Sequence, residues 1–405
     1  MEKQKCPEIR FKGFTIEWKE FKLADMFTFY RGEPFSKSDI VKDGNFKCIH
    51  YGELFTKYNS VIDEVLSSTN IKGLNLGRVG DILMPSSDVT PDGLAKASCL
   101  KVDNVLLGGD INVLRPISLN SSEFLSYQIN HSKEKILKCV TGTTVKHVYN
   151  RDLKELNYLT TTFKEQIQIG DFFQNLEQSI ALHEKKLTQT QNFKKAMLEK
   201  MFSKQGSKCP EIRLKGFSGD WKIESIGDVL QEVFRPIDLD NETKYRLVTV
   251  KRRNGGIAER AILKGKNILV KSQFEVKAGD YIISKRQVVH GATGLVPPEL
   301  DGSVVSNEYL VGQGTEKLSI EFFALLSILP EMYQKFFLSS YGVDIEKLFF
   351  DVNDWKKREV LLPSLEEQVQ ISTFFKQVDE TLNLQQQQLQ TLKNLKQAFL
   401  EKMFV

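Results

Sequence analysis

Cysteine is scarce and unpatterned: the 405-residue chain has five (Cys6, Cys48, Cys99, Cys139 and Cys209), an odd number with no Cys-x-x-Cys pair. Neither a disulfide framework nor a zinc site is suggested, and reduced, mostly buried thiols are expected. Long hydrophobic runs are missing as well: no stretch approaches the roughly 18 apolar residues that would cross a bilayer, and the opening Met1 to Arg10 is polar and mixed in charge. A cytoplasmic protein with no membrane partner is expected. Nor is there an excess of charge of one sign. With 56 basic and 52 acidic residues the net charge is only +4, which permits nucleic-acid binding without arguing for it. A composition of 41% hydrophobic and 27% charged residues is that of a folding chain, long enough for two or three domains.

The motifs of common chemistries are absent too. There is no G-x-x-x-x-G-K-[ST] phosphate loop, since Lys264-Gly265-Lys266 lacks both the upstream glycine and the following hydroxyl residue. No G-x-G-x-x-G cofactor loop occurs. The one Pro-Pro pair, Pro297-Pro298, lies between Val296 and Glu299, unlike the Asn/Asp-Pro-Pro-aromatic motif of amino-group methyltransferases. The five histidines (His50, His131, His147, His183, His290) have no metal-ligand spacing, and no pair of carboxylates stands out from a solvated surface. No catalytic residue, metal site or bound cofactor is assigned to this chain.

What is there is a repeat. CPEIRFKGFTIEWK at 6–19 returns as CPEIRLKGFSGDWK at 209–222, identical at 10 of 14 positions with an offset of 209 − 6 = 203. EQIQIGDFFQNLEQSIALHEKKLTQTQNFKKAMLEKMF at 165–202 returns at 367–404 with 16 of 38 positions identical and an offset of 202. Two echoes at nearly one offset mean that a whole half of the chain is duplicated. Between them the halves diverge, although Gly80-Asp81 answers Gly279-Asp280 and Glu123-Phe124 answers Glu321-Phe322. Parts kept alike within one chain are expected to meet the same partner twice, and parts that differ to meet different targets.

The divergent stretches alternate β-branched and aromatic runs with turn residues. Tyr245 to Val250 and Asp280 to Ile283 read as strands, Ser122 to Leu137 and Ile320 to Leu329 as helices, the latter stopped by Pro330. Each is therefore an α+β domain. The constant tails carry a seam with alternating spacings of 4 and 3: Ile169, Phe173, Leu176, Ile180, His183, Leu187 and Thr190 in the first, Ile371, Phe375, Val378, Leu382, Gln385, Leu389 and Leu392 in the second. A helix of that length, about 57 Å at ~1.5 Å per residue, needs a partner. The other tail is the natural one, giving an antiparallel coiled coil about a pseudo-twofold axis. His183 and Gln385 would weaken this seam while fixing its register. The expected organisation is a variable α+β domain at 1–162, a helix at 163–203, a linker at 204–208, a second variable domain at 209–363 and a second helix at 364–405.

Candidate contacts to nucleic acid lie in the divergent domains. Lys251, Arg252, Arg253 and Asn254 sit beside turn glycines, and Lys285, Arg286 and Gln287 lie close to His290. Arg and Lys suit guanine edges or phosphates, and Asn and Gln suit adenine edges. The first domain offers a more hydroxyl-rich set: Ser86, Ser87, Thr90 and Lys96, then Thr143, Thr144 and Lys146. Residues 209–363 hold 22 basic and 22 acidic residues, so the basic clusters are local patches in a neutral domain.

Two variable domains alternating with two long helices, the Glu-Gln-x-x-Ile starts (Glu165-Gln166 to Ile169, Glu367-Gln368 to Ile371) and the Leu-Glu-Lys-Met-Phe ends (Leu198 to Phe202, Leu400 to Phe404) resemble the specificity subunits of type I restriction-modification enzymes. The resemblance covers essentially the whole chain. It implies a non-catalytic subunit whose two target-recognition domains each read one half of a split double-stranded DNA site. Two modification subunits would then methylate adenine at N6 with S-adenosylmethionine. Two restriction subunits would translocate and cut DNA with ATP and Mg. A coiled-coil adaptor that binds only proteins is the alternative that the near-neutral domains leave open.

Overall fold

The computed structural model describes residues 6–204 and 206–405. The first five residues of the first expected domain and Gln205 of the expected linker lie outside them. The chain divides into two compact units, and the first is discontinuous in sequence: it runs to Lys186 and resumes with Gln385–Val405, while the second is Leu187–Leu384. The two long helices, Phe163–Lys200 and Leu365–Met403, are the cause. Each unit contains the beginning of one helix and the end of the other. In the first unit the partners run antiparallel, with Phe172 against Phe399, Glu177 against Lys396 and Glu184 against Lys393. In the second, Lys194 meets Asp379 and Phe202 meets Phe375 in the same sense.

Along these helices Ile169, Phe173, Ile371, Phe375, Val378 and Leu389 are buried, whereas Leu176, Ile180, Leu187 and Leu382 are partly buried. The polar members differ. Gln385 is buried, while partly buried His183 donates from Nδ1 to the Ser179 carbonyl. Glu177, off the apolar seam, is nonetheless buried, and accepts from Tyr127 Oη at 2.9 Å and Lys396 Nζ at 2.5 Å.

Each globular part packs two sheets over two cores. In the first unit a five-stranded sheet has the order Phe27–Arg31, Ile111–Pro116, Ile82–Pro85, Ser98–Leu100, Val61–Ile62. A four-stranded sheet has the order Leu106–Leu107, Phe46–Ile49, Ser67–Thr69, Ile40–Val41. The second unit has the order Leu230–Glu232, Tyr309–Gly314, Tyr281–Ser284, Thr293–Leu295 in one sheet, and Pro236–Ile237, Gln273–Val276, Ser303–Ser306, Lys244–Val250, Ile257–Lys264 in the other. The strand after each Gly-Asp pair divides the cores through its period-two alternation. Ile82 and Met84 face the core that includes the helices, and Leu83 faces the one between the sheets. Tyr281 and Ile283 against Ile282 repeat that division.

The helical stretches depart from expectation at their ends. Ser122 to Leu137 is two helices, Ser122–His131 and Lys133–Leu137. Pro330 stops the helix Ile320–Ser327, as anticipated, yet it also opens Pro330–Leu338, occupying a first-turn position where its missing N–H costs nothing.

The repeated motifs account for how each unit closes. Glu165, with no exposed side-chain surface, receives Arg10 Nε at 2.8 Å and Nη2 at 2.7 Å, and Glu367 receives the same pair of bonds from Arg213 at 2.8 and 2.7 Å. The neighbouring glutamines, Gln166 and Gln368, accept from the backbone N–H of Ser121 and Ser319, which cap the helices that carry Phe124 and Phe322. The Met-Phe ends supply the remainder. Phe404 lies 5.3 Å from Phe124 and 6.4 Å from Trp18, and Phe202 lies 5.3 Å from Phe322 and 6.3 Å from Trp221. Ile9 N–H donates to the Lys402 carbonyl, and Ile212 N–H to that of Lys200, each at 2.9 Å. Replacing Arg10 by Ala leaves a buried carboxylate without its counter-charge, with the Thr161 hydroxyl still donating to it, and is expected to cost the first unit about 3–5 kcal/mol, read as lost amide protection there. The double change Arg10→Met with Glu165→Leu should restore most of it. Undiminished protection in the single variant would refute this account.

Candidate nucleic-acid interface

The Gly-Asp pairs fix the strands that lead out to the candidate loops. Gly80 and Gly279 turn at φ +89° and +85°, a conformation that favours glycine. The aspartates that follow are fully buried. Asp81 accepts from Arg115 Nε at 2.9 Å and Nη2 at 2.7 Å, while Asp280 accepts from Arg235 Nη1 at 2.6 Å and from Gln313 Nε2 at 2.7 Å. Arg115 and Arg235 come from different places in their domains, so one requirement, neutralising a buried carboxylate, is met by two routes.

Three loops gather in each unit, and they are counterparts. One follows the Gly-Asp strand (86–93 and 285–291). One precedes the short helix Asn150–Leu153 or Val352–Lys356 (141–147 and 341–348). The third follows a strand paired in parallel with its neighbour (50–56 after Phe46–Ile49, and 251–256 after Lys244–Val250). In the first unit Lys146 and His147 pair with Asp88 and Ser87, and Phe55 packs so close to Gly93 that a Cβ there would lie 2.9 Å from its ring. In the second, the N–H groups of Arg253 and Asn254 donate to the carbonyls of His290 and Gly291 at 2.7 and 2.9 Å. Both donors hold left-handed backbone, at φ +58° and +55°. A Cβ on Gly291 would approach Asn254 Oδ1 to 2.8 Å.

The second face is charged and internally paired. Lys251, Arg252, Arg253 and Asn254 are exposed, and Arg252 donates from Nε to Gln287 Oε1 and from Nη2 to Glu346 Oε2, both at 2.6 Å. Arg286 is exposed, bonded to Glu308 at 2.9 Å and lying 5.9 Å over the Phe349 ring. Lys285 donates to the Asn307 carbonyl, and partly buried His290 has Nε2 at 3.7 Å from Glu346. The structure thus brings the two basic clusters together through Arg252.

The first face is aromatic and hydroxylic. Thr143 and Thr144 are exposed, Thr90 is exposed and donates to Asp88, and Lys146 reaches back to the Gly142 carbonyl. Three expected contacts need correction. Ser86 is 2% exposed, with its hydroxyl already accepting from Arg31; Ser87 is buried within the strand pair, opposite His147; and partly exposed Lys96 lies beside Glu177 and Lys396 of the helix pair, where burial pulls its ammonium below the usual lysine range. Ser86 and Ser87 are not presented to an external edge, and Lys96 is only partly exposed.

Other residues of these faces were not anticipated. The His50 and Tyr51 rings lie 4.5 Å apart, tilted to one another, with Phe35 and Phe55 edge-on to either side, and burial holds His50 below the ordinary imidazole range. Its Nδ1 accepts the Gly52 N–H, which leaves the ring proton of the neutral form on Nε2. Tyr149 stacks on His147 at 5.9 Å, with Arg151 at 4.9 Å over its ring. Glu346 joins the second face from a loop that composition did not single out. The available signal was positional, since its loop occupies the place in the second repeat that 141–147 occupies in the first. Among the described residues, no three His, Cys, Asp or Glu side chains are grouped to hold a metal ion, and no helix is long and apolar enough to cross a membrane.

Two copies of a recognition domain, each joined to a long helix, define a class of DNA-specificity protein, and the family comparison identifies which. The type I restriction modification DNA specificity domain matches twice, at residues 15–192 and 218–394, and the chain belongs to that family. The specificity subunit of the type I restriction enzyme HindI from Haemophilus influenzae is 26% identical over 190 residues, 46% of this chain and 41% of that protein, so the chain spans well under half of that curated relative. A crystal structure of a type I restriction-modification S subunit from M. genitalium is similar over 99% of both chains, with a TM-score of 0.62 at 14% identity, a likeness of fold. The HsdS subunit of Thermoanaerobacter tengcongensis is matched over 96% of both chains at 15% identity and a TM-score of 0.46.

The packing of the second face generates its own test. Gly291→Val, which would drive a branched side chain into Asn254 at φ +70°, should strip amide protection from Arg253 and Asn254. Gly256→Ala, at φ +73° but with nothing within 4 Å, carries the backbone strain without the clash and should cost clearly less of that protection. Equal behaviour of the two variants would mean that the loops are not held together as described.

Proposed function

We propose that each recognition domain reads one half of a bipartite, asymmetric double-stranded DNA target, and that the chain directs adenine-N6 methylation and restriction by partner subunits. The observation that carries this reading is the pair of loop faces, built from equivalent elements yet carrying different side chains: threonines and aromatic rings on one, arginines and carboxylates on the other. Different donor and acceptor sets call for different base sequences. The chain itself acts without catalysis in this reading. Two modification subunits supply S-adenosylmethionine chemistry and two restriction subunits supply the ATP- and Mg-dependent steps, at DNA in the cytoplasm. The repeated helices, alike where the faces differ, suit a partner that is met twice.

Sequencing of methylated sites made by the assembled enzyme is expected to return a split, non-palindromic motif. A palindrome, or an unsplit site, would overturn the reading. Arg252→Ala should cost about 1–3 kcal/mol in one half-site only, since a guanine contact carries sequence information and a phosphate contact weakens all sequences alike. Because the second domain is electrically neutral, DNA binding by the chain alone should be weak and fall steeply with salt. Tight binding at high salt would contradict that.

A further inference from the structure

We propose that Glu346 is a specificity-determining residue of the second domain, accepting from the amino group of a cytosine while Arg252 beside it donates to the guanine of the same base pair. This rests on the DNA-recognition reading above. A guanidinium has five N–H donors. Arg252 uses Nε–H on Gln287 and one Nη2–H on Glu346, so three remain, on Nη1 and Nη2, in the arrangement that meets guanine O6 and N7 together. Glu346 Oε2 is occupied by Arg252, but Oε1 is 3.7 Å from His290 Nε2, too far for a hydrogen bond, and keeps its acceptor capacity. Donor and acceptor are thus presented side by side, as guanine O6 and cytosine N4 are in the major groove.

The alternatives explain less. Both side chains are about half exposed, at 50% and 51%, and an ion pair in that setting contributes little to the fold. A carboxylate on a face that meets phosphates is repelled unless a donor answers it. Cytosine N4 is the base-edge donor that carboxylates are suited to accept from. The counterpart loop of the first domain, Thr141 to His147, carries no acidic residue at all. Arg252 is also held from two different loops, which fixes its orientation before DNA arrives.

The test compares methylated-site motifs of the assembled enzyme carrying the wild-type chain, Glu346→Gln or Arg252→Ala. The half-site altered by Arg252→Ala is expected to contain a G·C pair. Glu346→Gln, which removes charge at nearly constant shape, should reduce discrimination at that one position by about tenfold. All other positions should stay unchanged. Absence of a G·C pair from that half-site would overturn the assignment. So would an unchanged motif with stronger, more salt-dependent binding to random duplex, which would make Glu346 a neutraliser of Arg252. Failure of the wild-type enzyme to give any split motif would instead refute the recognition reading itself, and the two failures are distinguishable.

Discussion

A glutamate with no exposed side-chain surface must find a cation or lose its charge, and in this protein that requirement is met twice by an arginine some 150 residues away in sequence: Glu165 by Arg10 and Glu367 by Arg213, at separations of 155 and 154 residues. The arginine belongs to the segment that opens each half, and the glutamate to the first turns of the helix that closes it. Their fork-to-fork geometry ties the ends of each domain at one place. Gln166 and Gln368, next in sequence, hold the capped helix that carries Phe124 or Phe322. The aromatic cluster around those rings is then completed by Phe404 or Phe202 from the other long helix. Ion pair, amide and aromatic plug form one connected chain of contacts in each unit.

That connection explains which residues recur in the two halves. Pro-Glu-Ile-Arg, Glu-Gln and Leu-Glu-Lys-Met-Phe are distant in sequence but adjacent in the fold, and each would strand a buried group if it changed alone. The pair Glu177 and Lys396 repeats as Asp379 and Lys194, with carboxylate and ammonium on corresponding helices. The Gly-Asp turns recur for a related reason. Only the aspartate and the positive-φ glycine are fixed by the buried strand, and the balancing arginine is free to come from Arg115 in one half and Arg235 in the other.

Legibility in the sequence followed the same division. The α+β class, the two-domain plan and the long helices could be read because periodicity and repetition are local properties of the chain. The partners of the buried charges could not, because Arg10 and Glu165 meet only after the sheets have folded between them. Ser86 and Ser87 differ from that reading for a related reason: polar side chains in a loop-like stretch look solvent-facing until the end of the strand Ile82–Pro85 and its neighbours bury them. Glu346 was passed over because composition highlights clusters, and it stands in a mixed loop without one. Pro330 was read correctly as a stop and incompletely as a start, since its ring suits either side of a helix boundary.

The two faces show how one scaffold can present unlike chemistry. Core positions in the strands, such as Ile82 and Tyr281, differ in size yet keep the same inward direction, so the loops beyond them emerge at equivalent points. On the first face the side chains are aromatic and hydroxylic, and their placement depends on ring packing, as with His50 between Phe35 and Tyr51. On the second it depends on charge, with Arg252 and Arg286 each held by a carboxylate. Pairing Arg252 and Arg286 with carboxylates holds their guanidinium groups in place while leaving some of their directional N–H donors unused. On the reading proposed above, a neutral domain with oriented arginines would give up affinity for arbitrary duplex and keep discrimination between base edges, which is the balance a recognition module needs when non-specific sequence vastly outnumbers its target.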